Sequence, residues 1–341
     1  MALRIPAMLG AVVAIALTWA GAVNAEPFKI RVGWVQTPGH LAPVIEALGK
    51  KHPEIFKHLG QSYVMQAVRF NGTTPQIQAI AINELEIGSQ SSTALALAIA
   101  NAKLPLRVVS DVLQDGHEGY FSELFIVKAD GGINKVEDIK GKRVATNAIG
   151  SASDSAMRAM FRQKGIKDTD FTTVETNFAT MPAMIEGGKV DMIGVLPQFA
   201  KGIVGNDKYK TLFTARDAVG PTQSVMWAIK SETIQAHRAA FVDFFEDHIR
   251  AIHWLLDPAN RKDAVALCAE VTKIPAEDLG YVFTKADFYR APDARPEIAL
   301  AQKEIDENVK LGVVPKPIQI NPEYVDLSLI EDAKKQLDSG K

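Results

Sequence analysis

Short runs of alternating apolar and polar residues recur along the first two thirds of the chain, with helical patterns between them. The alternation in "FKIRVGWVQ", "YVMQAVRF" and "LRVVSDVL" predicts strands. Between them, "LAPVIEALGKK" predicts a helix, and "PQIQAIAINELEIG" predicts a helix that passes into a short strand. Strands that alternate with helices favour a mostly parallel sheet with helices on both of its faces.

The pattern then starts again, from near Ser122 to near Ser224. "ELFIVKA", "KRVATNAIG", "FTTVETN" and "VDMIGVLP" predict strands, and "SASDSAMRAMFRQKGI" predicts a helix that ends at Gly165. After "VMWAIKS" the chain is helical, with apolar residues such as Phe241 and Phe245 at helical spacing. We therefore expect two α/β lobes, one from 26–121 and 225–341 and the other from 122–224, with a ligand cleft between their strand ends.

The first 25 residues form a pattern of their own. Arg4 precedes an almost unbroken apolar run, Ala7 to Trp19, and the small residues Val23-Asn24-Ala25 resemble a cleavage site. This pattern predicts a signal peptide over 1–25. No later apolar run is long enough to span a bilayer, so we expect a soluble protein of the periplasm.

Composition excludes several classes of function. The formal net charge is −2 with both signs interspersed, which does not resemble a nucleic-acid-binding surface. The single cysteine, Cys268, excludes an internal disulfide and lies in an apolar helical pattern typical of a buried residue. The chain contains no nucleophile-elbow, phosphate-loop or dinucleotide-binding motif and no set of metal-ligand spacing. We expect no catalytic residue, no metal and no cofactor, although a triad assembled from distant residues remains an open alternative.

Candidate binding residues follow the strands of both lobes. In "EIGSQSSTALALA" a short apolar run meets the hydroxyl and amide side chains of Ser89 to Thr93, at the start of a helix. Free N–H groups and hydroxyls at such a junction suit a small polar or anionic ligand, although a plain helix cap needs only one of them. Asn147, Ser151, Ser153 and Asp154 repeat this arrangement in the second lobe. Two helix N-termini facing one cleft would supply partial positive charge without an arginine.

Five stretches together resemble a known family: "RVGW", "INELEIGSQSSTALALA", "LFIVKADGGINKVEDIKGKRVATNAIGSASD", "GGKVDMIGVLP" and the long helical segment from "AIKSETIQ" to "ANRKDAV". The chain resembles periplasmic solute-binding proteins of ABC importers, in the nitrate/sulfonate/taurine group that includes thiamine-pyrimidine binders. The resemblance implies an α/β fold of the two-lobed, type II clamshell kind, in which each lobe is a mixed sheet flanked by helices. It also implies a ligand between the lobes.

The resemblance assigns ligand-binding roles to residues of the matching turns. Trp34 would stack on a ligand or lie in the core, His40 would donate to an anion or lie in solvent, and Glu123 would meet a cationic group or form an interlobe salt bridge. No arginine lies in these turns, and the nearest, Arg69, is on a strand, which argues against a sulfonate. The full set of predicted contacts is Trp34, Gln36, His40, Asn71, Gln90, Ser91, Ser92, Tyr120, Glu123, Asn147, Ser151, Ser153, Gln198 and Trp227.

The expected function is that of the solute-binding component of an ABC transporter. It would capture a small polar or anionic organic solute by closure of the lobes and deliver it to a membrane permease. We expect a monomer whose partners are the solute and the permease, with no nucleic acid among them. The alternatives are a binding protein that serves a membrane sensor and, more remotely, an enzyme on the same fold.

Overall fold

A computed structural model describes residues 26–340, and the predicted signal peptide, 1–25, lies outside them. The strands are β1 Phe28–Trp34, β2 Tyr63–Arg69, β3 Gly88–Gln90, β4 Leu106–Asp115, β5 Leu124–Lys128, β6 Arg143–Thr146, β7 Thr172–Glu175, β8 Met192–Val195, β9 Tyr209–Thr214 and β10 Thr222–Lys230. The helices are α1 Ala42–Lys51, α2 Gln76–Ala81, α3 Ser92–Leu97, α4 Ala152–Gln163, α5 Met181–Glu186, α6 Ala215–Val219, α7 Ser231–Leu256, α8 Arg261–Thr272, α9 Ile298–Lys310 and α10 Ser328–Ser339. None of the helices among these residues is long and apolar enough to cross a membrane.

Each lobe contains a sheet with the same arrangement of strands. In the second lobe the order is β7-β6-β8-β5-β9, with β5 antiparallel to both of its neighbours. In the first lobe β1 pairs with β2 in parallel, and β10 lies antiparallel between β3 and β4. A parallel bridge between Val32 and Ile87 joins these two parts, which gives the order β2-β1-β3-β10-β4. The two-lobed fold is therefore confirmed, and each sheet is mixed, as predicted: mostly parallel with one antiparallel strand, β10 in the first lobe and β5 in the second.

Two strands near the cavity extend further than their sequence pattern predicts, because each pairs with β10. Ser89 and Gln90 were expected in a turn, but they belong to β3, because Trp227 and Met226 of β10 pair with them. Strand β4 was expected to end at Leu113, but it continues to Asp115, which pairs with Thr222. Both changes depend on β10, which follows more than 100 residues later in the chain and could not be anticipated from local alternation.

The later helices build the core of the first lobe. Helix α7 bends at His237, and beyond the bend Phe241, Phe244 and Phe245 are fully buried. Cys268 on α8 is buried, as its apolar surroundings predicted. The predicted lobe boundaries, 26–121 with 225–341 and 122–224, stay a prediction. The strand order places β5 to β9 in one sheet and the remaining strands in the other.

Candidate ligand-binding site between the lobes

A cavity of about 60 Å³ lies between the two sheets and is walled by both lobes. Since a single water occupies a cavity of only about 10–15 Å³, this cavity has room for several waters or for a compact ligand. Six of the predicted contacts line it: Gln36, His40, Glu123, Asn147, Ser151 and Ser153. The sequence therefore placed residues of both lobes at one cavity.

The turn after β1 forms one wall of the cavity and is held by a buried cation. The backbone N–H of His40 donates to the carbonyl of Gln36 over 2.7 Å. Arg290 donates to the carbonyls of Pro38 and Gly39 over 2.9 and 3.1 Å and pairs with Asp287 at 3.0 Å. Because its guanidinium is engaged with Asp287 and two carbonyls, Arg290 supports this turn from behind.

His40 is buried and neutral. Its Nδ1 lies 3.3 Å from Ser89 Oγ, and the Ser89 hydroxyl donates to the carbonyl of Gly33 over 2.7 Å. Since Ser89 has only one hydroxyl hydrogen, Nδ1 must carry the proton that joins the pair, which leaves Nε2 as an acceptor. Burial, with a smaller contribution from the charge of Arg290, lowers the pKa of His40 to about 3. The expectation that His40 lies in solvent is therefore wrong, and burial also excludes a positive charge on His40 near neutral pH. Its contact with a ligand stays a prediction.

Glu123 forms the opposite wall, just before β5. The Ser153 hydroxyl donates to its Oε1 over 2.5 Å, and its own backbone N–H donates to Asp115 Oδ2 over 3.1 Å. Burial raises the pKa of Glu123 to about 8, with the Ser153 hydrogen bond opposing this shift and the nearby charge of Asp115 adding to it. Burial also raises the pKa of Asp115 to about 6. The carboxyl of Glu123 fits because residue 194 is glycine, where a methyl group would lie 2.4 Å from Oε1.

The N-terminus of α4 also borders the cavity, but its positive end is partly neutralised. Ser151 caps the helix by accepting from the backbone N–H of Asp154. The Asp154 carboxylate accepts from the N–H of Gly150 over 2.8 Å and pairs with Arg158 at 2.8 Å. A carboxylate in the first turn offsets the helix dipole. The expected field of two positive helix ends is therefore weaker than the sequence suggested.

Direct contacts join the lobes beside the cavity. The side-chain amide of Asn147 donates to the carbonyl of Asn71 over 3.0 Å. Ser91, which caps α3 by accepting from Ala94 N, also donates to the carbonyl of Gly150 over 3.3 Å. A methyl group at Gly72 would lie 2.4 Å from Ala148 Cβ, so the lobes approach to backbone contact. The two lobes are therefore in direct contact beside the cavity.

Three of the predicted aromatic contacts lie away from the cavity lining. Trp227 is 2% exposed and packs against the aromatic side chains of α7, with His248 at 4.4 Å between ring centroids. The ring of Trp34 lies under the guanidinium of Arg69 at 5.6 Å. Tyr120 meets the ring of Tyr289 edge-on at 5.1 Å. These side chains support the walls of the site and do not line it.

The remaining predicted residues also lie outside the cavity lining. Gln90 and Ser92 are buried, and they donate to the carbonyls of Thr73 and Gln223. Asn71 contributes its backbone carbonyl to the interlobe contact, and Ser91 serves as cap and bridge. Gln198 lies half-buried in a short 3₁₀ turn, Pro197–Phe199. The serine run beside β3 therefore stabilises the junction of strand and helix, and none of its residues lines the cavity.

Sequence reasoning missed several lining residues that come from other parts of the chain. Asp115 and Leu113 lie at the end of β4, Thr73 lies in the turn after β2, and Phe178 and Phe288 come from loops. Strand alternation signals Leu113, whereas no local pattern marks Phe288. The described residues contain no group of histidine, cysteine or acidic side chains that could hold a metal ion. The cavity is suited to bind a small ligand, because its walls are mostly apolar and contain a few polar side chains that could form hydrogen bonds with it.

Comparisons with known proteins agree with this geometry. The family model described as NMT1/THI5 like matches residues 66–260, more than half of the chain. Among curated proteins none matches. The fold is similar to the alkanesulfonate-binding protein SsuA from Xanthomonas axonopodis pv. citri bound to MOPS, with a TM-score of 0.66, 17% identity and coverage of 88% of this chain and 98% of that one.

Two further solved structures share the fold. The periplasmic nitrate-binding protein NrtA from Synechocystis PCC 6803 gives a TM-score of 0.70 at 11% identity, over 92% of this chain and 90% of that one. The periplasmic aliphatic sulphonate binding protein SsuA from Escherichia coli gives 0.60 at 19% identity, over 88% and 92%. At these identities the likeness establishes a shared two-lobed architecture.

Proposed function

The chain belongs to the NMT1/THI5-like family, and from this premise we propose that it is the solute-binding component of an ABC importer. It captures a small polar solute in the cavity between its lobes and delivers it to a membrane permease. The observation that carries the proposal is the enclosure of one cavity by Gln36 and His40 from one lobe and Glu123, Asn147 and Ser153 from the other.

Capture proceeds by closure. A ligand that contacts both walls stabilises the closed form, whereas a ligand that contacts only one wall leaves the equilibrium between open and closed forms unchanged. The hinge lies in the segments that join the two sheets, between β4 and β5 and between α6 and β10, with 26–121 and 225–341 moving against 122–224. The permease then distinguishes the closed form from the open one by shape.

The compartment and assembly follow from the same proposal. The pattern over 1–25 directs the chain across the inner membrane, and the mature protein acts in the periplasm as a monomer. NrtA and the Escherichia coli SsuA are periplasmic binding proteins by name, which supports this location. The names of these proteins also support binding without chemical conversion of the solute.

A thermal-unfolding screen of the mature protein tests the proposal. The protein is unfolded and refolded first, to remove any solute carried through purification, and then tested with nitrate, alkylsulfonates, taurine, aromatic carboxylates, aminopyrimidines, and small amines and amidines. A ligand present at about 100 times its dissociation constant adds roughly 2.7 kcal/mol of stability, which raises the midpoint clearly. We expect one chemical class to raise the midpoint and to reduce the radius of gyration measured by small-angle X-ray scattering.

The control is a variant that resists closure. Gly72→Ala places a methyl group against Ala148, whereas Gly280→Ala adds one in open space. Two results together would contradict capture by closure. The ligand would raise the unfolding midpoint of Gly72→Ala as much as that of the parent, and it would leave the radius of gyration of the parent unchanged. Failure of every class to stabilise the refolded protein would count against a transport role.

A further inference from the structure

The walls of the cavity contain two side chains, each more than nine-tenths buried, that each have one polar atom without a hydrogen bond to residues 26–340. Glu123 is 5% exposed, and only its Oε1 receives a hydrogen bond, from Ser153. His40 is 6% exposed, and its Nδ1 is joined to Ser89 while Nε2 has no partner. Both side chains line the cavity. Polar atoms that face an enclosed cavity without a protein partner indicate a polar ligand. His40 Nε2 offers an acceptor, and the Glu123 carboxyl becomes one when a bound cation favours its ionised form.

Over the described part of the chain, the lining contains acidic groups and no basic side chain that could balance an anion. Asp115 and Glu123 are its two ionisable carboxyl groups, and no lysine or arginine is among the lining residues that the structure describes. Arg290 lies behind the turn of Pro38 and Gly39, where its guanidinium is engaged with their carbonyls and with Asp287. An anion in the cavity would meet two carboxyl groups without a matching cation.

The rest of the lining is apolar and partly aromatic. Leu113, Leu196 and Val35 provide aliphatic surface, and Phe178 and Phe288 provide rings. An aromatic face attracts a cation, most strongly where water is excluded. Such walls favour a compact organic cation over a strongly hydrated metal ion, which would also need several oxygen ligands.

We propose that the solute is a compact organic cation with N–H donors, such as an ammonium or amidinium compound, which Glu123 and His40 hold as acceptors, and that the cavity rejects small anions. This inference rests on the proposed function and narrows it. Glu123 and His40 lie on opposite walls, so a donor that satisfies both acceptors also links the lobes. The same contacts therefore supply specificity and drive closure.

The test uses two pairs of probes that differ in charge and share a shape. Guanidinium and nitrate are both planar and threefold, with equal numbers of non-hydrogen atoms, and acetamidinium and acetate form a second such pair. Binding of each is measured by calorimetry on the refolded mature protein at millimolar concentrations. We expect at least one of the cations to bind and both anions to bind more weakly than their cationic counterparts.

The variant Glu123→Gln keeps the shape of the side chain and removes its charge. We expect cation affinity to fall roughly tenfold or more, because a charge-assisted hydrogen bond is lost. The matched control is Glu118→Gln, an exposed acidic residue on the same segment, which should bind as the parent does. Circular dichroism establishes that both variants are folded, and His40→Gln, which keeps an acceptor in the wall, gives a second variant that should retain part of the affinity.

Three results would overturn the inference. The first is binding of nitrate or acetate at least as tight as that of its cationic counterpart, which would leave solute capture intact and reverse the ligand class. The second is unchanged cation affinity in folded Glu123→Gln. The third is absence of binding by both cations while the wider screen finds another class. The proposed function itself would be in question only if no ligand class in that wider screen stabilised the protein.

Discussion

The side-chain amide of Asn147 in the second lobe donates to the backbone carbonyl of Asn71 in the first lobe, with 3.0 Å between nitrogen and oxygen. Asn147 also accepts from Ser151 over 2.7 Å, so the bridging amide is oriented by the residue that caps α4. One bond thus connects the closure of the lobes with the wall of the cavity. This connection makes closure measurable by substitution.

Asn147→Ala should weaken solute binding without unfolding either lobe. The lost hydrogen bond contributes about 0.5–1.5 kcal/mol to the closed form, so affinity should fall by roughly two- to tenfold. The measurement is calorimetry with the solute identified by the screen. Asn101→Ala, at an exposed asparagine, is the control. Equal affinity in Asn147→Ala and the parent would show that this bond does not contribute to closure.

Gly72→Ala should hold the lobes apart. Its methyl group would lie 2.4 Å from Ala148 Cβ, a distance that real Cβ atoms do not tolerate, and the clash disappears when the lobes separate. We expect a larger radius of gyration in solution and an affinity lower by about tenfold or more, with little change in the unfolding midpoint of the free protein. Gly280→Ala, which meets no atom within 4 Å, should match the parent in all three measurements.

Glu123→Gln should stabilise the free protein at alkaline pH. Burial raises the pKa of Glu123 from its usual 4.5 to about 8, so the folded protein binds this proton more tightly than the unfolded chain does. The stability from this group is fully present below about pH 4.5 and is lost as pH rises through about 8. Neutral glutamine avoids this loss.

The free energy of unfolding, measured by urea titration between pH 5 and 9, should therefore fall less steeply in Glu123→Gln than in the parent. We expect a difference of roughly 2–4 kcal/mol at the alkaline end. Some pH dependence should remain, because burial also raises the pKa of Asp115 to about 6 and that of Glu304 to about 8. Parallel curves for variant and parent would contradict the burial of an ionisable Glu123.

Binding of an organic cation should release protons near neutral pH. At pH 7 the Glu123 carboxyl holds its proton, and a bound cation favours the ionised form, so up to about one proton leaves per cation bound. Of the other groups on the walls, His40, with a pKa of about 3, stays neutral, and Asp115, with a pKa of about 6, is already largely ionised.

Calorimetry in buffers of different ionisation enthalpy counts these protons. The apparent affinity for acetamidinium should rise from pH 6.5 to pH 8 and then level off. Glu123→Gln should show neither the release nor the rise. Uptake of protons on binding by the parent protein would contradict the assigned role of Glu123.

Ser91→Ala should act mainly on stability, and Ser153→Ala mainly on binding. Ser91 caps α3 by accepting from Ala94 N over 3.0 Å, and loss of such a cap costs about 1 kcal/mol. Ser153 lines the cavity and donates to Glu123, so its removal should lower cation affinity severalfold. Thermal midpoints and calorimetry on the two single variants separate these effects. A large loss of affinity in Ser91→Ala with an unchanged midpoint would restore Ser91 as a direct contact.

Sequence patterns determined the architecture of this protein and much of its site. Period-two alternation and helical spacing identify strands β1 to β8 and several of the helices, because local hydrogen bonding and one-sided burial leave a direct trace in the residue order. Strands β9 and β10 were not predicted, although β10 lies between β3 and β4 in the first sheet. The polar residues near strand ends, among them Gln36 after β1, Glu123 before β5 and Asn147 after β6, reach one cavity because these strand ends lie at one edge of each sheet.

Only the tertiary structure decided the character of the cavity. It placed Asp115 beside Glu123, set Arg290 behind the turn of Pro38 and Gly39, and buried His40 as a neutral acceptor. It also moved Trp227 into the core, since β10 pairs its segment with β3 and α7 covers it. Charge and exposure depend on which distant segments pack together, and residue order alone carries no record of that packing. Sequence patterns therefore predicted where a solute would bind, and the packing of the lobes is the basis for the charge that we propose for it.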